Sequence, residues 1–412
     1  MKAATALLTL ALAGFAAAEA QVPFDANTDF NPASYIFKSA KCPAVNREKK
    51  SVKELEQQYV DINPTASRTL LLVHGWPSLW ASWKYQIAEF QNDFRLIIPN
   101  LRGFGDSAHP GDVRTSGTMP DLVGDLRCIL DAAGVKDPVV CVGHDWGTQT
   151  CFEAARQAPT RVAGVVGITI PYMPYAGPFV PMSALVPELP HLAYQVYFDN
   201  KTKAASAELD KDIRRTLRAT LRTVASPPPE GFLSSTDNFL GAYGDEEIPA
   251  IPFLTATEED YWVKSYEKQG FDKTLYFYQT PARKMSWEAA QKSGVYSISQ
   301  PALSILDTED PVANWPAAAG LLHTADFLPR LTTKTMPGAH WVQLERPAEV
   351  NAFIREWLTS TYPDSSSFSA IPAPSSSTGT ASSKTATEEA AMPSTAAPTA
   401  AATESKKAHE EL

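Results

Sequence analysis

The sequence predicts an α/β fold, in which a mostly parallel, doubly wound sheet carries helices on both faces. Short apolar runs alternate with helical patterns up to residues 162–170, as is typical of parallel sheets buried between helices. From about residue 172 to residue 300 the strand signal fades, and aromatic residues, prolines and helical patterns dominate. Two more strand patterns then follow. We therefore expect one sheet whose connectivity is interrupted by an inserted helical cap.

Five short segments have the length and the residue types of strands. They are the apolar runs 68–73, 138–142, 162–170 and 302–306, and residues 332–336, which are mostly β-branched threonines. Helical patterns fall at residues 148–157, 206–222 and 258–269. With 412 residues and a hydrophobic content of 44%, the chain can bury a large core. Its length alone would fit two or three domains, but the pattern favours a single core with a cap.

The two ends of the chain differ in composition from the part between them. Lys2, the apolar residues 3–17 and Ala18-Glu19-Ala20 are typical of a secretory signal peptide and its cleavage site. From residue 363 to about 403 the chain is mostly Ser, Thr, Ala and Pro, which cannot bury enough apolar surface to fold. The predicted organisation is a signal peptide at 1–20, a first core segment at 21–171, a cap at 172–300, a second core segment at 301–362 and a disordered tail at 363–412.

Short sequence motifs near the C-terminus and in the cap predict the cellular compartment of the protein. The last four residues, His409-Glu410-Glu411-Leu412, are similar to the retrieval signals H-D-E-L and K-D-E-L, with Glu410 in place of Asp. We expect the protein to enter the secretory pathway and either to reside in the lumen of the endoplasmic reticulum or to be secreted. Asn200-Lys201-Thr202 is a glycosylation sequon that fits this route, so Asn200 is the expected glycan site. Beyond the N-terminal stretch, no segment is apolar enough to span a bilayer.

The central motif of the chain is Gly143-His144-Asp145-Trp146-Gly147, between a predicted strand and a predicted helix. A G-x-nucleophile-x-G motif in that position is the nucleophile elbow of the α/β-hydrolase fold. Its central residue is Asp145, where an esterase or lipase would have Ser. A carboxylate is ionised near neutral pH without a base, and it suits displacement at a saturated carbon better than attack on an acyl group. The expected substrates are therefore epoxides or alkyl halides.

Two backbone amides are expected to form an oxyanion hole beside this residue. The strand at 68–73 runs into His74-Gly75-Trp76-Pro77, and in this fold the loop after that strand supplies one amide N–H. The residue after the nucleophile supplies the other. The donors would be the amides of Trp76 and Trp146, because a covalent ester on Asp145 must be hydrolysed through a tetrahedral oxyanion.

The rest of a catalytic triad is expected later in the chain, in the order acid and then histidine. The strand at 302–306 runs into Asp307-Thr308-Glu309-Asp310, and the strand at 332–336 runs into Pro337-Gly338-Ala339-His340. Parallel strands deliver their carboxyl ends to one edge of the sheet, so these groups should meet there. His340 is the natural base for water. Asp310 is the best candidate to orient it, with Asp307 and Glu309 as competitors that spacing does not exclude.

Further segments extend the pattern beyond the elbow and the His-Gly-Trp-Pro turn. They are Trp83-Lys84-Tyr85-Gln86-Ile87, Arg102-Gly103-Phe104-Gly105-Asp106-Ser107, Gly338-Ala339-His340-Trp341-Val342-Gln343 and Arg346-Pro347-Ala348-Glu349-Val350. With these segments, residues from about 59 to 358 resemble the soluble-type epoxide hydrolases of the α/β-hydrolase superfamily. The resemblance implies the α/β-hydrolase fold with an inserted helical cap.

The resemblance also implies that two cap tyrosines hydrogen-bond the oxirane oxygen. Tyr194 takes the first of these places, and Tyr278 takes the second, where the preceding residue is Phe277 instead of the Trp frequent in the family. Tyr197 and Tyr276 are the competing assignments. A strained ether opens only when its oxygen gains a proton or strong hydrogen bonds, and phenols can supply these at neutral pH. Beside these groups, Trp76, Trp146 and Gln195 are the expected substrate-binding residues.

The expected reaction converts an epoxide and water to a vicinal diol. Asp145 attacks an oxirane carbon while Tyr194 and Tyr278 stabilise the leaving oxygen, and water activated by His340 then hydrolyses the ester. The nearest alternative is a haloalkane or haloacid dehalogenase, which also uses an Asp nucleophile but needs halide-binding groups instead of two phenols. A second alternative is a ligand-binding module that has the same fold but has lost hydrolytic activity. The complete triad argues against this alternative.

Composition limits the partners of the protein. The formal net charge is −10, and the sequence has no cluster of basic residues that would indicate a basic patch. Nucleic acid is therefore not an expected partner. No phosphate-binding loop, dinucleotide fingerprint or metal-ligand cluster occurs, and neither a cofactor nor a metal is expected. The substrates are expected to be a small apolar epoxide and water. Cys42, Cys128, Cys141 and Cys151 are too few for a disulfide scaffold, so buried free thiols are expected, with a single bridge left open.

Overall fold

An eight-stranded sheet forms the centre of the protein. The computed structural model describes residues 30–363 and Phe368. The strands are β1 (Phe37–Asn46), β2 (Ser51–Ile62), β3 (Thr69–Val73), β4 (Arg95–Pro99), β5 (Val139–His144), β6 (Val162–Ile168), β7 (Ala302–Asp307) and β8 (Leu331–Met336). Their order in the sheet is β1-β2-β4-β3-β5-β6-β7-β8, and every neighbouring pair from β4 onward is parallel. The prediction of a mostly parallel sheet is confirmed.

Thirteen α-helices surround or extend this sheet within the described residues. They are α1 (Lys84–Phe90), α2 (Met119–Ala132), α3 (Trp146–Gln157), α4 (Met182–Leu185), α5 (Ala193–Asn200), α6 (Thr202–Lys211), α7 (Ile213–Thr220), α8 (Ala256–Glu267), α9 (Thr280–Ser293), α10 (Trp315–Leu321), α11 (Thr324–Phe327), α12 (Val342–Glu345) and α13 (Pro347–Thr361). Short 3-10 helices occur at Pro32–Ser34, Trp80–Trp83, Pro190–Leu192, Gly241–Tyr243 and Asp272–Tyr278.

The core has one layer on each face of the sheet, because successive side chains of a strand point to opposite faces. On β3, Leu71 and Val73 pack in one cluster with residues of α2 and α3, such as Leu122 and Phe152. Leu70 and Leu72 belong to a second cluster, which contains residues of α1 and α13. Every residue of β3, β5, β6 and β7 is buried. The sheet is therefore doubly wound, as its continuous apolar strands predict.

The hairpin of β1 and β2 was not predicted from the sequence. It pairs antiparallel from Phe37↔Val60 to Asn46↔Ser51, and β2 joins β4 antiparallel. Half of the residues in β1 and β2 are polar, and exposed residues alternate with buried ones in β1. Such strands at a sheet edge lack the apolar run that marks the buried strands, which explains why the pattern missed them.

Between β6 and β7 the chain forms α4 to α9, so both predicted tyrosines lie on this helical stretch. The helical pattern at 206–222 corresponds to two helices, α6 and α7, which are separated at Asp212. This residue has an extended backbone, with φ −147° and ψ 91°, and its carboxylate accepts a hydrogen bond from the amide of Arg215 at 2.9 Å. An aspartate that caps a new helix ends the preceding one.

The expectation of free thiols is also wrong. Cys42 of β1 is bonded to Cys128 of α2, and Cys141 of β5 is bonded to Cys151 of α3. In each case a strand residue faces a helix residue, and the Cα atoms lie 5.7 Å and 5.5 Å apart. These separations are within the range that a disulfide requires. Sequence spacing does not reveal them because each pair meets only through packing of a helix on the sheet.

The predicted signal peptide at 1–20 and the retrieval signal at 409–412 lie outside the described residues, as does nearly all of the predicted tail at 363–412. Phe368, which falls within that tail, is 1% exposed and stacks on Phe94 with ring centroids 6.1 Å apart. Within the described residues, no helix combines the length and the hydropathy needed to cross a membrane.

Candidate active site

Asp145 stands on the sharp turn between β5 and α3. Its backbone has φ 53° and ψ −128°, a conformation that non-glycine residues rarely adopt and that is found at functional sites. The turn requires both glycines of the motif. A Cβ atom on Gly143 would collide with the carbonyl of Gly147, and one on Gly147 would collide with the carbonyl of Val73. The helix can therefore approach the strand closely enough to hold the carboxylate at the edge of the sheet.

The carboxylate of Asp145 has two distinct neighbours. The amide of Trp76 donates a hydrogen bond to Oδ1 at 2.8 Å, and Nε2 of His340 lies 3.5 Å from Oδ2. Burial raises the pKa of Asp145, but His340, the nearby His144 and the Trp76 amide outweigh it and lower the pKa below its ordinary value. The group is therefore ionised near neutral pH. A carboxylate in this state can act as a nucleophile.

His340 is held by Asp310. Its Nδ1 lies 2.6 Å from Oδ2 of Asp310, which also accepts from the indole of Trp315 at 2.5 Å, while Oδ1 accepts from the amide of Val312 at 2.8 Å. Burial lowers the pKa of His340, but the charges of Asp310 and Asp145 more than offset it and raise the pKa well above its usual value. Asp145, His340 and Asp310 thus form a continuous chain of contacts.

The two competitors of Asp310 are placed differently. Glu309 is exposed, and its amide donates to the carbonyl of Gly338 at 3.1 Å. Asp307 is completely buried at the end of β7. Burial and the negative charge of Asp310 raise the pKa of Asp307 well above its ordinary value, which favours the neutral form of this carboxyl group. Neither contacts His340 as Asp310 does.

Tyr194 on α5 and Tyr278 at the end of a 3-10 helix face the same cavity as Asp145 and His340. Their ring centroids are 5.7 Å apart, and their exposed fractions are 7% and 2%. Burial is the largest cause that raises the pKa of both phenols. The next largest is the charge of Asp145 for Tyr194 and the neighbouring Tyr194 for Tyr278, and both also raise the pKa. Both hydroxyls are therefore protonated near neutral pH and can donate hydrogen bonds.

The competing tyrosines do not line this cavity. Tyr276 is fully buried and stacks against His109 with ring centroids 5.8 Å apart, and Tyr197 is 3% exposed next to the ring of Phe198. Sequence spacing could not distinguish these positions, because the segments are short helices whose rotation depends on the cap around them.

The cavity that joins these groups has a volume of about 170 Å³. Besides Trp76, its wall is largely apolar, with Phe232, Leu233, Phe239 and Val312. Such a space accommodates a small ligand whose reacting atoms lie between a carboxylate and two phenols.

Two of the expected substrate-binding side chains do not line the cavity. Gln195 donates from Nε2 to the hydroxyl of Tyr194 at 3.2 Å, and its Oε1 accepts from Arg283 at 2.7 Å. The indole of Trp146 stacks on Phe277 with ring centroids 5.4 Å apart, and the guanidinium of Arg283 lies 4.8 Å from its centre. Trp146 begins α3, where amide N–H groups have no partner within the helix, so its backbone can still act at Asp145.

Some cavity residues carried no sequence signal. Thr220 ends α7 and Arg222 follows it, and both lie in the helical pattern at 206–222, which gave no sign of a ligand site. Phe232 and Phe239 belong to the stretch between α7 and α8, where only the aromatic and proline content hinted at packing against a ligand. Among the described residues, no group of three or more His, Cys, Asp and Glu side chains could hold a metal ion.

A doubly wound sheet, an aspartate on a nucleophile elbow and a His–Asp pair at the same sheet edge define an α/β-hydrolase. The chain belongs to the alpha/beta hydrolase fold family, whose model matches residues 68–347.

Similar proteins carry epoxide hydrolase names. The chain is 30% identical over 291 residues to a Rattus norvegicus protein named bifunctional epoxide hydrolase 2, covering 70% of this chain and 51% of that one. It therefore spans about half the length of that relative. It is 28% identical to epoxide hydrolase A of Mycobacterium tuberculosis, covering 73% of this chain and 93% of the other. The crystal structure of epoxide hydrolase A from Mycobacterium thermoresistibile matches with a TM-score of 0.63 and 26% identity, over 79% of this chain and 98% of that one.

Proposed function

We propose that this protein is an epoxide hydrolase that converts an epoxide and water to a vicinal diol. The observation that carries the proposal is the shared cavity of an aspartate carboxylate, a histidine and two protonated tyrosines. The names of the similar proteins support the same reaction. None of these groups requires a cofactor for the chemistry proposed here.

In the first step Asp145 attacks an oxirane carbon. Its Oδ1 is held by the Trp76 amide, which leaves Oδ2 as the attacking oxygen. As the new C–O bond forms, the oxirane C–O bond breaks, and Tyr194 and Tyr278 donate hydrogen bonds and a proton to the departing oxygen. The product of this step is a hydroxyalkyl ester of Asp145.

In the second step water hydrolyses that ester. Water attacks the carbonyl carbon of Asp145 while His340 takes its proton and Asp310 stabilises the imidazolium that forms. The amides of Trp76 and Trp146 hold the oxyanion on the former Oδ1. The tetrahedral intermediate collapses, and the departing alkoxide takes a proton from His340 to give the diol. Asp145 is then a carboxylic acid, and its proton returns to the tyrosine that donated one in the first step.

The phenols favour this reaction over dehalogenation. A leaving halide needs hydrogen-bond donors that tolerate a free anion, whereas an oxirane oxygen remains bonded to the substrate and must gain a proton. Tyr194 and Tyr278 meet that need. A ligand-binding module without hydrolysis is the other alternative, and the 3.5 Å and 2.6 Å contacts of His340 argue against it.

A single-turnover experiment in heavy-oxygen water tests the covalent step. Excess enzyme should release diol without label, and the label should appear in the peptide that contains Asp145, because water oxygen enters at its carbonyl. The variant His340→Gln should accumulate the ester, which is visible as an intact-mass increase equal to the epoxide. Labelled diol in the first turnover would mean direct attack by water and would refute the assignment of Asp145.

We infer in addition that the protein travels the secretory pathway, to the lumen of the endoplasmic reticulum or to the outside of the cell. The signal-like residues 1–20 support this, and so does the oxidation of the cysteines to two disulfides, which persist in oxidising compartments. Asn200, the proposed glycan site, is exposed at the end of α5. Deleting residues 409–412 should increase export into the medium if they act as a retrieval signal. Equal export of both chains would contradict residence in the endoplasmic reticulum.

Glycosylation can be tested in the same cells. Digestion with an N-glycosidase should reduce the apparent mass of the full-length chain, and the variant Asn200→Gln should lack that change. An unchanged mass of the full-length chain after digestion would contradict the modification.

A further inference from the structure

A buried cation lines the proposed substrate cavity. Arg222 follows α7 by two residues, is 4% exposed and forms part of the cavity wall with Thr220 and Thr223. The wall otherwise holds only a few charged or ionisable groups: Asp145, His340, Tyr194, Tyr278 and Glu309. Of these, Glu309 is exposed to solvent, which screens its charge.

The charge of Arg222 is not balanced inside the protein. Its two terminal nitrogens donate to the carbonyls of Pro249 and Ala250 at 3.0 Å and 2.8 Å. Its Nε is buried and has no hydrogen-bond partner, and no carboxylate of residues 30–363 lies within ion-pair distance. Burial lowers the pKa of Arg222, and the charge of Glu259 acts on it less than Tyr243 and Arg218 do. Glu259 is already paired with two arginines of α7, Arg214 and Arg218. A buried guanidinium in this state is costly unless a ligand supplies the counter-charge.

Arg222 is also held in a fixed position relative to the catalytic histidine. The indole of Trp341, next to His340, donates to the carbonyl of Thr220 at 3.0 Å. On the other side, one oxygen of Glu345 accepts from the amide of Val224 at 3.0 Å, and the other accepts from the amide of Ala339 at 2.8 Å. The segment that carries Arg222 and the loop that carries His340 are therefore tied together at two points. A ligand bound by both would be positioned by a rigid frame.

We propose that Arg222 recognises a carboxylate on the substrate, so that the preferred substrate is a small epoxide bearing a carboxylate a few bonds from the oxirane. This inference rests on the proposed epoxide hydrolase function and replaces the expectation of a purely apolar substrate. A guanidinium binds a carboxylate through charge-assisted hydrogen bonds. Each terminal nitrogen of Arg222 carries a second N–H beyond the one that a backbone carbonyl accepts, and these are the donors for the carboxylate. A cavity of about 170 Å³ suits a small substrate.

The test uses a series of epoxides of increasing length, each as the carboxylate and as its amide: 2,3-epoxypropanoate, 3,4-epoxybutanoate and 5,6-epoxyhexanoate. The amide keeps the shape and removes the charge. For at least one length, the wild type should have the higher kcat/KM for the carboxylate. Arg222→Met should lower the ratio of carboxylate to amide by about a hundredfold, because a buried charge-assisted contact is lost. Arg222→Lys should retain part of the preference.

Arg215→Met is a matched control. The guanidinium of Arg215 also donates to two backbone carbonyls, those of Glu246 and Gly244, but it lies outside the cavity. Its loss removes the same formal charge, so the ratio should stay at the wild-type value. An equal ratio in Arg222→Met and the wild type, or a wild-type preference for the amide at every length, would overturn the proposal.

Calorimetric binding separates this inference from the proposed function. The diol acids of the series and the corresponding diol amides need no turnover to bind. The acid should bind the wild type more tightly, and this advantage should disappear in Arg222→Met. If no epoxide is hydrolysed but the acid still shows that advantage, the proposed reaction fails while the carboxylate site stands. If epoxides are hydrolysed but the acid shows no advantage, only the carboxylate site fails.

Discussion

At the scale of single residues, His340 illustrates how one side chain could serve two steps. Before reaction, the charges of Asp145 and Asp310 hold its pKa well above the usual value. Formation of the ester on Asp145 would remove one of these charges, so the pKa of His340 should fall at the moment when a base is required. Asp310 remains to stabilise the imidazolium as water is deprotonated.

Replacing Asp310 by Asn should separate these effects. Because the negative charge of Asp310 raises the pKa of His340, its loss lowers that pKa, and the acid limb of ester hydrolysis should move to lower pH. The plateau rate should fall by about a thousandfold or more, since the imidazolium loses its counter-charge. The rate of single-turnover ester hydrolysis is measured from pH 4 to pH 9, a range of roughly two units around an ordinary histidine pKa. The profile gives both the position of the acid limb and the plateau rate.

Glu309→Gln is the control for that experiment, because it removes a neighbouring charge that is exposed to solvent. Its profile should coincide with that of the wild type. If Glu309→Gln shifts the acid limb as far as Asp310→Asn does, the assignment of Asp310 is wrong.

The tyrosines allow a second residue-scale prediction. Tyr194→Phe and Tyr278→Phe each remove one donor to the developing alkoxide, so each should lower the rate of ester formation by about a hundredfold. The double variant should nearly abolish ring opening. Tyr276→Phe and Tyr197→Phe, which remove hydroxyls outside the cavity, should stay near the wild-type rate in the same stopped-flow measurement. If either control loses more rate than Tyr194→Phe or Tyr278→Phe, then the wrong tyrosines have been assigned as the hydrogen-bond donors.

At the scale of elements, a buried ion pair links the sheet layer to the cap. Lys84 begins α1 and Glu258 lies in the first turn of α8; their side chains are each 2% exposed, and Nζ is 2.9 Å from Oε1. Glu258 also completes the capping box of α8 by accepting from the amide of Thr255 at 2.6 Å. The carbonyl of Phe253 is a further acceptor for Lys84, at 2.8 Å. This junction sets where α8 sits against α1.

Lys84→Met should therefore destabilise the protein strongly. It leaves the carboxylate of Glu258 buried without its cation, which typically costs about 3–5 kcal/mol. The free energy of unfolding from urea titrations measures the loss. Lys268→Met removes a lysine from an ion pair with Asp106 that is 49% and 42% exposed, and it should cost at most about 1 kcal/mol. Similar losses in both variants would mean that the junction contributes no more than a surface contact.

At the scale of the whole molecule, the disulfides fasten helices to the sheet. The bond of Cys42 with Cys128 joins the edge hairpin to α2 across 86 residues of sequence, whereas that of Cys141 with Cys151 spans 10 residues around the elbow. A cross-link restricts the unfolded chain more when the loop it closes is longer. The first bond should therefore contribute more to stability than the second.

The double variant Cys42→Ala/Cys128→Ala should lose about 3–5 kcal/mol of unfolding free energy, because the longer loop is released in the unfolded state. Guanidinium titrations without reductant measure the change, with Cys141→Ala/Cys151→Ala as the comparison for the shorter loop. If the wild type unfolds identically with and without reductant, neither bond contributes and the prediction fails.

The buried half of the fold could be predicted from the sequence because its signals are local. Strands that are covered on both faces are continuous apolar runs, and the observed bounds of β5 (Val139–His144) and β7 (Ala302–Asp307) differ from the predicted ones by at most two residues. The elbow was recognisable because its motif occupies five consecutive residues, with glycines at the two positions where neighbouring backbone leaves no room for a Cβ atom. The hairpin of β1 and β2 has no continuous apolar run, and it was missed.

The amino-acid sequence by itself determined the doubly wound sheet, the elbow with Asp145 and the histidine at the end of a strand, since periodicity and short motifs encode each of them. Only the tertiary structure decided which of three carboxyl groups meets His340, which tyrosines face the cavity, which cysteines pair, and that Arg222 lies in the cavity wall. These outcomes depend on side chains far apart in the chain, and they are fixed by how helices rotate and pack against the sheet. The spacing of residues along the chain does not reveal the distances between packed elements, and for this reason the sequence could not predict these contacts.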